Sequence, residues 1–389
     1  MTTPFLTRKS QFLAKIQSVA GTAETLAAAD GKVRVNVGMG FDYQAPKIVR
    51  DIARASLSPL GMIASTKAGA ITLRTEINTP DTMTSLPEHE TLLRASGHVV
   101  DVVKRIAIGA ITSGPISRGA TLTGGTSSGT GRLVLDATNG DTHLYYVPIS
   151  GTLQSGEVIT GTGGATCTSS GAPASYGASV RPLSTFPDFI TARYENDGYA
   201  WSVRDAVADM SFEIEASKQG FFDFAILGAK GTFGTLAMTS SISYDTGEPP
   251  ILQNAGLTIG SSFQPVFSKV SFAQNNKNVL RQNGNAAGTT GIEGARITGR
   301  EPKFKITLEH VVAATKDFFA NYDASTKEAI KFQCGTTVGK RFFFFAPLAE
   351  ISALPIGDAE GIRTLEVEFL LTSTASVQSA DGEYEMLFL

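Results

Sequence analysis

Cysteine, excess charge of either sign and long apolar runs are all scarce in this sequence, and each scarcity removes a class of protein. Only Cys167 and Cys334 occur among 389 residues. Neither stands in a CxxC pair or near a histidine at metal spacing, and two thiols this far apart make no disulfide framework, so both are expected to be reduced. The four histidines, His89, His98, His143 and His310, include no HxH or HExxH spacing, which argues against metal ligation. Charged residues make up 18% of the chain, and the formal net charge is −3 with a pI near 5.9. Without a basic field, tight sequence-independent binding to nucleic acid is not expected, and a mildly acidic surface instead lets DNA pass without adhesion. No apolar run reaches the roughly eighteen residues of a membrane span. Met1 to Arg8 leads into an amphipathic stretch rather than the apolar core of a signal peptide, so a soluble, unexported chain is expected.

What the sequence does have is glycine, 40 residues of it, with 23 phenylalanines and a mean hydropathy of +0.04. That is the composition of a turn-rich, mainly β protein long enough for two or three domains. The stretch from Arg300 to Phe345 shows the pattern best. Phe304, Ile306 and Leu308 alternate with Lys303, Lys305, Thr307 and Glu309, the period of a strand with one buried and one wet face. A short helical segment over Lys316–Tyr322 follows, then a second strand through Ile330, Phe332 and Cys334, then a glycine-bounded turn, Gly335 to Gly339. Four consecutive aromatics, Phe342 to Phe345, place two rings on each face of a strand, so one face is expected on the chain's own core and the other against a neighbouring sheet or subunit.

Elsewhere the same grammar repeats. Phe5 to Ile16 reads as a loose arm or short helix, with Phe5, Phe12, Leu13 and Ile16 as its apolar residues, and Val33, Val35 and Val37 as a strand. Ile71 to Ile77 alternates as a strand, Pro87 to Gly97 as a short helix with Leu92, Leu93 and Ala95 on its apolar side. Met210, Phe212 and Ile214 form a strand that turns at Gln219 and Gly220 and returns through Phe222, Phe224 and Ile226. An amphipathic strand followed by an aromatic-rich strand ending in glycine thus occurs here and again in 300–345, which points to an internal duplication. Gln282 to Gly294 reads as a flexible loop. Leu365 to Leu371 alternates as a strand, with Tyr384 to Phe388 as its return.

Between Ala110 and Tyr176 the composition shifts to Gly, Ser and Thr. "SGPISRGATLTGGTSSGTG" from Ser113 aligns with "SGTLQSGEVITGTGGATC" from Ser150, and the turn Asn139–Gly140 separates two further strand candidates, Arg132–Leu135 and His143–Val147. The segment is expected to be an inserted β module. Gly125-Thr-Ser-Ser-Gly129 spells a nucleophile elbow but lies in low-complexity sequence with no α/β context. The glycine loops 124–131 and 161–164 lack the Lys-Ser/Thr of a P-loop. Glu213 with Glu215, and Glu366 with Glu368, alternate with apolar residues, so each pair reads as a wet strand face rather than a catalytic carboxylate pair. No enzyme and no cofactor are expected.

Two stretches carry a family resemblance. "FLAKIQSVAGTAETLAAADGKVRV" resembles the opening of many phage tail tube proteins, where an "AKIE-x-x-x-GT" arm precedes the first strand, and "LPEHETLLRASG" resembles the double-leucine helix on the flank of their barrel. The chain thus resembles a major tail tube protein of a long-tailed bacteriophage. The resemblance implies a mainly β fold with an N-terminal arm (1–30), one tail-tube β-sandwich or barrel domain (31–108 with 181–238), the inserted surface module (109–180), and a second tail-tube domain (239–389). It implies inner sheets that join between subunits into rings stacked along a tail, which removes open strand edges. With two domains per chain, a homotrimeric ring with pseudo-six-fold symmetry follows. The arm, through Phe5, Phe12, Leu13 and Ile16, and the loop Gln282–Gly294 would order on stacking. The implied partners are further copies, a tape measure protein, a tail terminator and distal tail or baseplate proteins, in a virion tail assembled in the host cytoplasm. Acids facing the bore would repel the phosphates of passing genomic DNA within a Debye length of roughly 8 Å. Glu213, Glu215, Glu366 and Glu368 are the candidates, with Lys303 and Lys305 opposing a uniformly acidic bore. A reading of another class is a virion adhesin or carbohydrate-binding tail protein with the repeated insert as its adhesive module, for which Tyr145, Tyr146 and Tyr176 are the available rings.

Overall fold

The computed structural model describes residues 6–389 except 54–57, 59, 81, 186–187, 286–290, 338 and 374–380. The strands that matter are β1 (Ser10–Ile16), β2 (Gly40–Gln44), β3 (Ala68–Glu76), β4 (His98–Ala107), β5 (Ala174–Pro182), β6 (Ile190–Asn196), β7 (Tyr199–Glu215), β8 (Phe221–Thr235), β9 (Phe267–Ala273), β10 (Lys303–Glu309), β11 (Lys327–Cys334), β12 (Phe342–Ala353), β13 (Ile356–Ala359), β14 (Ile362–Thr372) and β15 (Glu385–Phe388). Two one-and-a-half-turn helices, α1 (Glu90–Ala95) and α2 (Phe318–Asp323), flank them. The fold is mainly β, and every named strand pairing is antiparallel.

The organising sheet runs β2-β3-β8-β7-β9-β10-β14-β13, crossing from one half of the chain to the other at the β7–β9 pair. Alternation sets its faces: Phe212, Ile214, Phe222, Phe224, Val270, Phe272, Phe304, Ile306, Val367 and Phe369 all point inward and are buried. Opposite them lies a second layer of β11, β12 and β15, whose Phe332, Phe342, Phe344 and Phe388 interleave with the first. The rings of Phe304 and Phe344 stack at 4.7 Å, and Phe212 meets Phe342 edge-on at 5.4 Å. The halves expected as two units with a core each therefore share a single core.

Local sequence explains the turns. β6 and β7 are joined by Asp197 and Gly198, both at positive φ (40° and 99°), the backbone of a two-residue hairpin turn that matches strand twist. α1 stops where Gly97 takes φ 82°, a conformation costly for any residue with a Cβ. Leu92, Leu93 and Ala95 are fully buried on the helix's inner side.

The sequence expectations need four corrections. The segment 5–16 is neither a loose arm nor a helix over its described part: β1 pairs with β6 along its whole length, from Ser10 opposite Asn196 to Ile16 opposite Ile190. Val33 to Val37 forms no strand, only a single bridge between Val35 and Thr75. β15 does not return along β14 but crosses to the second layer between β5 and β12, because its apolar residues complete that layer. Only the two ends of the expected loop 282–294, Gln282 and Ile292–Gly294, belong to strands, those of the hairpin Asn276–Gln282 with Ile292–Arg300, and 286–290 lie outside the described residues.

The insert folds on its own core of Ile106, Ile116, Leu122, Leu133, Leu144, Leu153, Ile159 and Cys167. Its two sequence repeats are two hairpins whose first strands, Thr121–Gly124 and Val158–Gly161, pair antiparallel with each other. It enters and leaves through the neighbouring strands β4 and β5.

Candidate functional site

The outer face of the long sheet gathers all four sequence-selected acids. Glu213 on β7 stands opposite Ser271 on β9, Ser271 opposite Lys305 on β10, and Lys305 opposite Glu368 on β14. One row thus runs across four strands and both halves of the chain, which separates these residues by up to 155 positions in sequence. Glu215 and Glu366 flank the row.

Each acid has a cation. Lys269 Nζ lies 2.8 Å from Glu213 and 3.7 Å from Glu215, and Lys218 reaches Glu215 at 2.5 Å. Lys305 sits 3.2 Å from Glu366 and 3.7 Å from Glu368, while Lys303 approaches Glu368 at 3.1 Å. One strand further, Arg74 grips Asp223 with two parallel hydrogen bonds, 2.9 and 3.0 Å. The Lys218 hydrogen bond holds the Glu215 carboxyl below its ordinary range. Partial burial works against ionisation of Glu368, but hydrogen bonds from Lys303 and Ser352 outweigh it and hold this carboxyl low too. Glu213 and Glu215 in turn hold Lys269 above its ordinary value, the hydrogen bond to Glu213 being the largest effect. The face is a ladder of alternating signs rather than a negative field, and such half-exposed pairs set potential more than stability.

The arm residues are placed differently. Phe12 and Leu13 are 1% and 0% exposed, committed to the chain's own interior, and Ile16 is half-buried against the core. Phe5 lies outside the described residues. Phe12 and Leu13 are thus not available as a free stacking surface, because β6 presents an edge that β1 completes.

Other sequence candidates resolve into packing. Ser127 of the elbow-like pentapeptide donates its hydroxyl to Glu157 at 2.9 Å, and that buried carboxylate also accepts from the backbone N–H groups of Thr126, Ser127 and Gln154. His98 bridges Leu93 O and the Tyr384 hydroxyl, and burial pushes it down to about 4. Burial takes His89 to about 3 between Phe222 and Phe388. Among the described residues no group of three or more His, Cys, Asp or Glu side chains is arranged to hold a metal, and no helix is long and apolar enough to cross a membrane. Tyr146 and Tyr176 of the proposed adhesive module are buried.

Two features escaped the sequence reading. Lys269 is the central cation of the ladder, yet its neighbours in sequence show only the strand it stands on. A chain of ring contacts also links Tyr43, Phe233, Phe41, Trp201 and Tyr194 at one end of the sheet, with Lys230 4.6 Å above Phe233. The alternation of Phe41 with Tyr43 was its available signal. No protein-family model matches the chain, and no curated protein matches it.

Proposed function

We propose that the protein is a structural subunit that polymerises into stacked rings forming a hollow tube, the tail tube of a long-tailed bacteriophage, through which DNA is delivered. One observation carries the reading: both halves of the chain contribute strands to a single sheet whose outer face is a continuous charge ladder. Curved into a ring of copies, that face lines a bore. Every lysine of the ladder already neighbours a carboxylate, so a passing phosphate meets no uncommitted row of cations and DNA slides rather than binds. The core side supports the outer wall, and the insert stands away from the ladder on β4 and β5. Two like halves in each chain favour a trimeric, pseudo-six-fold ring. In this reading a tape measure protein occupies the bore before DNA, and terminator and baseplate proteins close the ends.

Electron microscopy of purified protein with light-scattering mass tests it. Hollow rings or tubes with three chains per layer are expected; monodisperse monomers in the presence of tail initiators would sink it.

A further inference from the structure

We propose that the free edge of β13 in one copy pairs antiparallel with the free edge of β2 in the next, with Ile356 opposite Phe41 of the neighbouring copy. The inference rests on the ring-forming reading above and assigns its seam.

The sheet contains its own template. In the first half the strand order is β2-β3-β8-β7, and in the second it is β9-β10-β14-β13, all antiparallel. α1 follows β3 as α2 follows β10. Aligning the ends of β3 and β10, Glu76 with Glu309, puts Phe304, Ile306 and Leu308 in the places of Ile71, Leu73 and Thr75 on the buried face. Following the ladders outward from there puts Phe272 in the place of Phe41, and Ile356 in the place of Phe212. Inside the chain Phe212 and Phe272 are directly opposite across the β7–β9 joint. The equivalent residues, Ile356 and Phe41, sit at the two outer ends of the sheet, where β13 and β2 have no further strand partner among the described residues.

Three details fit. The Pro355 carbonyl accepts from the Glu366 N–H, so by antiparallel alternation the backbone groups of Ile356 point away from β14, toward the open side. Across the internal joint it is likewise the even-numbered residues that bond, as the Gln274 N–H to Met210 O contact shows. Both edges also leave apolar side chains in water: Ile356 is 55% exposed on β13, and Tyr43 is 44% exposed beside Phe41 on β2. A strand seam with apolar residues matched on the inner face is what these surfaces lack. The join is head-to-tail, so it propagates until a ring closes.

The test is a double variant of the full chain, Phe41→Cys with Ile356→Cys, allowed to assemble and then oxidised. Directly opposed cross-strand residues lie within disulfide reach. Covalent species ending at a closed trimer are expected on denaturing gels, with neither single variant giving them. Pairing Phe41→Cys with Asp358→Cys or with Leu354→Cys checks the register, and preferential linkage there would overturn it. Ile356→Lys should abolish assembly while leaving the melting temperature of the subunit unchanged, since that side chain is already exposed. Rings or tubes that form without the Phe41–Ile356 link, or that survive Ile356→Lys, overturn the seam and leave the tube reading standing. Subunits that stay monomeric at every concentration overturn both.

Discussion

Phe212 and Phe272 face each other directly across the strand pair that joins the two halves of the chain, their ring centroids 5.3 Å apart and their planes 28° from parallel. One ring belongs to each half, and both are buried in the core that the halves share. Removing either opens a void at the point where the halves depend on one another.

Phe272→Ala should therefore cost about 3–5 kcal/mol and destabilise the whole subunit in one transition. Trp201, the single tryptophan, reports on the first half by fluorescence, and the thiol of Cys334 reports on the second by labelling. Coincident denaturation curves are expected; two separate midpoints would mean that the halves fold independently.

The insert is fastened by Glu385, which is 2% exposed and receives the guanidinium groups of Arg118 and Arg132, both from the insert, together with the Ser179 hydroxyl at 2.6 Å. Burial opposes its ionisation, but Arg118 and Arg132 outweigh burial and hold the carboxyl below the ordinary value of 4.5. A carboxyl lowered in the folded state contributes stability that is complete above its unfolded value and fades as pH falls through the folded one. Glu385→Ala should cost on the order of 3 kcal/mol at neutral pH. In the wild type, limited proteolysis of the insert should accelerate only below about 4.5, and an unchanged cleavage rate across that window would refute the anchor.

Phe343 and Phe345, 6% and 7% exposed, pack against Val103, Val134, Val147 and Tyr176 rather than the main core. Excising the insert, with Ala107 joined to Ala174 by a short turn, should leave a chain that folds but aggregates through those two rings. Adding Phe343→Thr and Phe345→Thr to the excised chain should restore a monodisperse peak in size-exclusion chromatography.

Deleting 1–16 should destabilise the subunit itself, because Phe12 alone accounts for about 3–5 kcal/mol and β6 is left with an open edge. A drop in melting temperature is expected. A truncated subunit as stable as the full chain, failing only to stack, would return this segment to the role of an assembly arm.

Replacing Glu213 and Glu366 together by lysine turns the ladder cationic without disturbing the core. Tubes assembled from this variant should retain fluorescent DNA at low salt and release it as salt rises. Equal passage through both tubes would separate the ladder from DNA transport.

The alternation of apolar and polar residues revealed most of the long sheet, since at positions such as Phe304 and Phe369 a period of two leaves no other burial pattern. The insert was legible for a different reason: its glycine-rich repeats abandon the composition of the flanking chain. What escaped was partnership between distant strands. β1 contains Lys15 and Gln11 among its apolar residues, so its pattern fits an amphipathic arm as well as a strand, and only the edge of β6 decides between them. Glu213 and Glu368 could be read as wet residues but not as members of one row, because the row depends on β9 and β10 lying between them. The repeat of strand order likewise runs from β2-β3-β8-β7 to β9-β10-β14-β13, not between the aromatic-rich segments that suggested a duplication. Order in a sheet is a property of pairing, and pairing leaves little trace in one sequence.

The β7–β9 joint has a kinetic consequence. A contact between halves of one chain forms at a fixed effective concentration and does not weaken on dilution. In a ring of such chains every second seam is already made when the subunit folds, so only the alternate seams await an encounter between molecules. Growth is then governed by half as many collisions, and a partly built ring has fewer places at which to come apart.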